Sequence, residues 1–189
     1  MSDKFNDKYR IKSERLEGYD YRNEGLYFVT ICTKNRVHFF GECENGIMLL
    51  NDLGKMAEDF WLEIQTHFPN VSLDEFIIMP NHIHGIICID SRNFVETLHA
   101  TSSIENKTLH ATSLQGERYS KISPKQGSLS TVLRSFKSAV SNKAKHFNPN
   151  FAWQPRFHDH IIRDAQSFTN IQNYIINNPT NWVNDEFYS

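Results

Sequence analysis

Residues 71–90 read VSLDEFIIMPNHIHGIICID, and this stretch decides what kind of fold the chain can adopt. Two apolar runs, each long enough for a strand, meet at Pro80-Asn81, where a proline closes one extended segment and a turn begins. Apolar residues stand at odd and even positions alike, so both faces of the sheet they join have to be covered, as in strands central to it. Successive side chains of a strand alternate between faces, which places His82 and His84 on the same one.

Upstream, LYFVTICT at residues 26–33 is short, β-branched and aromatic, a third strand. Residues 37–41 are expected to pair with it, and residues 46–50 to extend the meander. From Asn51 the period changes. Leu53, Met56, Ala57, Phe60, Trp61, Ile64 and Phe68 fall on one helical stripe, capped by Asn51 or Asp52 and stopped before Pro69. Downstream, Gly127-Ser128 open a second helix with Leu129, Val132, Leu133, Phe136, Val140 and Phe147 on its apolar side. FHDHIIRD at 157–164 reads as a strand, and a terminal helix runs from about Ala165 to Asn177, ended by Asn178-Pro179. The order βββαββ, insertion, αβα describes an α+β sandwich: a central antiparallel sheet with helices packed on it.

With 189 residues, the chain has the length of one domain. A polar leader occupies residues 1–24, and residues 25–189 form the domain, interrupted at about 92–127 by a Ser/Thr/Asn/Gln-rich insertion. Inside it TLHATS occurs twice, at 97–102 and 108–113, too few copies for a solenoid. Cys32, Cys43 and Cys88 have no C-x-x-C spacing and read as thiols of a reducing compartment. No stretch approaches the ~20 apolar residues of a membrane span. A cytoplasmic protein with no membrane partner is expected.

Twenty Lys and Arg against 22 Asp and Glu give a net charge of -2, which taken whole argues against a nucleic-acid partner. The distribution reverses that inference. Residues 118–147 hold seven Lys or Arg and no acid, whereas residues 42–75 hold eight acids and one Lys. Arg134, Lys137 and Lys143 from the basic stretch, with Arg156 and Arg163, are the candidate phosphate contacts.

His82 and His84 have the spacing to hold one cation through two imidazoles, or else each bonds to backbone at a strand edge. His158 and His160 form a second His-x-His in more polar surroundings. On the terminal helix Tyr174 and Asn178 are stacked one turn apart beside Ile171 and Ile175. Asn178 is a poor core residue, and its amide oxygen can serve as a third ligand.

Taken together, HIH at 82–84, Tyr-x-x-x-Asn at 174–178, FVTICT at 28–33, SFKSA at 135–139 and WQPRFHDHIIRD at 153–164 resemble the single-tyrosine HUH transposases, most closely the REP-associated tyrosine transposases. The resemblance implies a ferredoxin-like or RRM-like sandwich with the histidine pair on the sheet and the tyrosine on a helix. It implies that His82, His84 and Asn178 hold Mg²⁺ or Mn²⁺, and that Tyr174 attacks a DNA phosphate to form a 5′-phosphotyrosine link. The partner would be single-stranded or repeat-associated hairpin DNA, and the assembly a monomer or a homodimer. Two rivals stand beside this reading. One is a non-catalytic single-strand binder on an RRM-like sheet. The other is a zinc hydrolase, which lacks a third strong ligand such as an H-E-x-x-H helix would supply.

Overall fold

A computed structural model describes residues 24–90 and 127–188, together with the backbone of a short antiparallel pairing between Lys4–Phe5 and Lys8–Tyr9. Most of the leader, the TLHATS repeats and the basic residues Arg118, Lys121 and Lys125 therefore lie outside the described residues.

Four strands make the main sheet: β1 (Gly25–Cys32), β4 (Val71–Ile78), β5 (His82–Ile89) and β6 (His158–Ile162). Their spatial order is β4-β5-β1-β6, with every pairing antiparallel. Helix α1 (Asp52–Leu62), followed by a short α2 (Ile64–His67), connects β1 to β4, and α3 (Leu129–Ala144) connects β5 to β6. The result is the split β-α-β, β-α-β arrangement of ferredoxin-like domains. Helix α4 (Ala165–Asn177) follows β6.

Alternation along the strands sorts the side chains into two layers. Tyr27, Val29 and Ile31 of β1 and Ile83, Ile87 and Ile89 of β5 face α1 and α3, where they meet Leu53, Ala57, Trp61, Val132, Leu133, Phe136 and Val140 in the principal core. Each aliphatic side chain fully buried there contributes ~2 kcal/mol relative to an exposed one. Gly85 sits in this layer because the Trp61 indole crosses it: an added Cβ would lie 2.3 Å from Trp61 Cζ2. The opposite layer packs Ile86 and Ile162 against Ile175 of α4, with Phe28, Phe168 and Ile171 at its border.

Three expectations need correction. Val37 to Gly41 do not pair with β1. The pairing instead joins β2 (Gly41–Glu44) to β3 (Ile47–Leu50) in a separate hairpin, whose turn residues Asn45 and Gly46 both have positive φ, as a two-residue I′ turn requires. Only β5 of the two strands at 71–90 is central; β4 is an edge strand, bulged between Leu73 and Phe76. Its apolar residues are nevertheless covered: Val71, Leu73, Phe76 and Ile78 join the principal core, Ile77 packs on the opposite layer, and α4 bonds to the strand through Gln172 Nε2, which donates to Asp74 Oδ1 at 2.7 Å. Phe147 does not extend the stripe of α3; the helix ends at Ala144 and the ring is 49% exposed. The expected cap of α1 is Asn51, whose Oδ1 accepts from Gly54 N at 2.9 Å; α4 has a cap that was not anticipated, Asp164, whose Oδ1 accepts from Ser167 N at 2.8 Å.

Candidate active site

His82 and His84 begin β5 on the layer away from α1 and α3, opposite Cys32 and Thr30 of β1. Both are fully buried, and their ring centroids are 4.4 Å apart. The surrounding bonds set the tautomer of His82. Asn81 Nδ2 donates to the carbonyls of Phe187 (2.8 Å) and Arg36 (3.2 Å), so its Oδ1 is the atom facing His82 Nδ1 at 2.8 Å. That nitrogen must carry the proton. The lone pair of His82 is therefore on Nε2, which is buried with no partner among the described residues. His84 Nδ1 bonds to Thr30 Oγ1 at 2.9 Å, leaving Nε2 toward Tyr174. Burial holds both imidazoles neutral: it pushes His82 well below the ordinary range and His84 down to about 4.

Helix α4 brings Tyr174 and Asn178 to this pair. The Tyr174 hydroxyl is 3.2 Å from His84 Nε2 and 3.2 Å from Asp185 Oδ2. Burial, and secondarily the Asp185 carboxylate, push the phenol above its usual pKa, so it is held protonated. Asn178 is 1% exposed, and its Nδ2 donates to Asp185 Oδ2 at 2.7 Å. A carboxylate only accepts, which makes the amide assignment unambiguous. Asn178 Oδ1 is then the second buried atom of the site with no partner among the described residues.

An unsatisfied buried acceptor costs ~1–3 kcal/mol, and here two stand beside a third nitrogen whose neighbour is a weakly bonded phenol. That donor set, two neutral imidazole nitrogens and an amide oxygen, fits a divalent cation with positions left open for other ligands. Asn81 and Thr30 supply the outer bonds that ligating histidines usually have. Among the described residues no three His, Cys, Asp or Glu are grouped to hold a metal, so the zinc-hydrolase reading finds no ligand set.

Residues 182–188 close one side of the site. Phe187 packs on His82 (4.7 Å between centroids) and His84 (5.6 Å), and Trp182 lies 5.8 Å from His82. Arg36, at positive φ, lies over the Phe187 ring at 4.7 Å and donates to the Glu186 carbonyl. Between this segment and α4 a groove of about 370 Å³, lined by Tyr174, Asn178, Asn181, Asn184, Asp185 and Glu186, opens to solvent.

The five candidate phosphate contacts are dispersed. Arg134 and Lys143 project from α3, on the sheet layer opposite the histidines, so these two are not beside the site. Lys137 points into the structure: its Nζ donates to the carbonyls of Gln154 (2.8 Å) and Arg156 (2.7 Å), and burial lowers it to about 8. Arg156 precedes β6 at the histidine end of the sheet, since His158 pairs with Thr30; Arg163 follows β6 at the far end. Asp185 was absent from the sequence-derived set. No periodic or motif signal marks it. Asn81, directly beside His82, carries a cue in its position.

The α+β sandwich with a tyrosine-bearing helix laid against a histidine pair defines the class. A solved REP-associated tyrosine transposase, described bound to a REP hairpin, shares this fold with a TM-score of 0.55 and 17% identity, over 90% of this chain and 74% of that one. By sequence, an uncharacterized protein of Haemophilus influenzae is 40% identical over 181 residues, covering 94% of this chain and 92% of its own length. The chain belongs to that protein's family. No protein-family model matches it.

Proposed function

We propose that the protein is a metal-dependent single-strand DNA endonuclease and transposase that nicks and rejoins single-stranded or hairpin DNA. The observation that carries this reading is the Tyr174 hydroxyl 3.2 Å from His84 Nε2, next to two buried acceptors, His82 Nε2 and Asn178 Oδ1, that have no partner among the described residues.

In this reaction the Tyr174 oxygen bonds to phosphorus and the P–O3′ bond breaks, leaving a free 3′-hydroxyl and a 5′-phosphotyrosine. The 3′-hydroxyl of another strand then reverses the exchange, so joining requires no outside energy source. A phenol of pKa ~10 is ionised about one part in a thousand at neutral pH, a deficit of ~4 kcal/mol that burial here enlarges. Positioning on α4 and a proton acceptor at hydrogen-bond distance are what the chain contributes against it. His82, His84 and Asn178 would hold Mg²⁺ or Mn²⁺, which when bound supplies Lewis-acid polarisation of the phosphate. Arg156, at the histidine end of the sheet, is the cation best placed for the strand. The RRM-like binder reading is disfavoured because α4 and residues 182–187 cover the sheet face on which such a domain stacks bases.

Labelled hairpin and single-stranded DNA incubated with the protein and Mn²⁺ should give an SDS-stable covalent adduct. Tyr174→Phe removes the attacking oxygen and should abolish it. An adduct that persists in the variant would overturn the assignment of the nucleophile.

A further inference from the structure

The groove beside Tyr174 ends on a carboxylate that none of the expected ligands includes. Asp185 Oδ2 accepts from Asn178 Nδ2 at 2.7 Å and lies 3.2 Å from the Tyr174 hydroxyl, while Oδ1 accepts from Phe187 N at 2.7 Å. Its backbone is held as well, with Asp185 N donating to Trp182 O at 3.1 Å and Tyr188 N donating to Asp185 O at 3.0 Å. The carboxylate is thus fixed from one side by its own turn and presents its other oxygen to the two functional residues of α4.

We propose that Asp185 is the positioning residue of this site, orienting the Asn178 amide for the cation and the Tyr174 hydroxyl for attack. The inference rests on the metal-site reading above. An amide ligates through oxygen, because its nitrogen lone pair is delocalised. Asn178 therefore serves only in the orientation that keeps Oδ1 away from Asp185, and a pure acceptor at 2.7 Å from Nδ2 enforces that orientation. For Tyr174 the reasoning concerns competition. Its single O–H donates to Asp185 Oδ2 at 3.2 Å, and His84 Nε2 lies at the same distance from the phenol oxygen. Once His84 Nε2 is engaged as a ligand, Asp185 is the acceptor that remains, and a lone pair of the phenol oxygen is left for phosphorus.

The shape-conserving Asp185→Asn separates orientation from packing. An Asn at this position has one acceptor and one NH₂. If its oxygen keeps the bond from Phe187 N, its NH₂ faces that of Asn178, and a flip moves the clash to the other end. The measurement is Mn²⁺ binding to the full chain without DNA, read as free Mn²⁺ by electron paramagnetic resonance, alongside thermal unfolding of the metal-free protein. Asp185→Asn should weaken binding by about 10-fold or more, the range for loss of an outer-shell partner. Asn178→Ala should weaken it similarly, and the double variant no further than the worse single one. Asp185→Glu, which keeps a pure acceptor, should recover part of the loss and provides a folded comparison if Asp185→Asn is unstable. Binding within twofold of wild type in Asp185→Asn, or additive losses in the double variant, overturns the proposal. If His82→Ala and Asn178→Ala bind Mn²⁺ as wild type does, it is the metal-site reading that has failed.

Discussion

At the scale of the residue, burial does most of the chemical work. His84 is nine-tenths or more enclosed, and its ring is driven down to about 4 from 6.5; His82 shifts the same way. A folded pKa below the unfolded one means that the unfolded chain binds more protons between the two values. Stability from the neutral imidazole is complete above about pH 6.5 and is lost as pH falls toward 4, by roughly 3 kcal/mol for His84 alone. Urea unfolding of the metal-free protein at pH 7 and pH 4.5 should show this loss, and His84→Asn, with no proton to take up there, should lose less. Equal losses in the two proteins would place the buried proton linkage elsewhere. The histidine pair, Tyr174 and Asn178 were legible because their spacing alone puts them on shared faces. Asp185 was not, because what recruits it is a turn at Trp182–Asn184 that returns the chain to the site.

At the scale of the element, the two central strands, β1 and β5, could be read in advance because strands covered on both faces carry apolar residues at odd and even positions alike. The hairpin at 41–50 was missed for a related reason. Val37, Phe39 and Phe40 look like strand residues, yet Phe39 and Phe40 are buried as plugs against Phe151 and Trp153 in irregular backbone. The Asn45-Gly46 dipeptide was the better signal, since it supplies the positive φ values a tight hairpin needs. The edge position of β4 had no local cue, because α4 covers it from a distance of nearly a hundred residues. Gly85 is where helix and strand packing meet most tightly. Gly85→Ala would put a methyl 2.3 Å from Trp61 Cζ2, against a rigid ring that Phe136 and Phe76 hold on either side. Overpacking of this kind costs ~1–3 kcal/mol. Chemical denaturation of Gly85→Ala should give a midpoint shift of that size. It should also displace β5, and with it the histidines, so Mn²⁺ affinity should fall together with stability.

At the scale of the whole molecule, linear charge was a poor guide to surface charge. The acidic α1 and the basic α3 lie side by side on one layer, both with their apolar stripes on the principal core, so charges separated along the chain are neighbours in the fold. The distinction that matters is between that helical layer and the layer shared by α4 and residues 182–188. On the second layer the histidine pair has no exposed surface, while Tyr174 is 41% exposed at the groove. Acylation by diethyl pyrocarbonate, which requires a neutral and accessible imidazole, can test this arrangement. In the full chain at pH 6, His158 and His160, exposed on the edge strand, should react while His82 and His84 do not. Within the closing segment Phe187 packs nearest His82, and truncating such a buried aromatic costs ~3–5 kcal/mol while opening a channel to it. Phe187→Ala should therefore make His82 reactive, by peptide mapping, under conditions where the variant remains folded by circular dichroism. If His82 in the wild-type chain reacts as fast as His158, residues 182–188 do not stay seated over the pair in solution, and Asp185 would then hold Asn178 and Tyr174 for only part of the time.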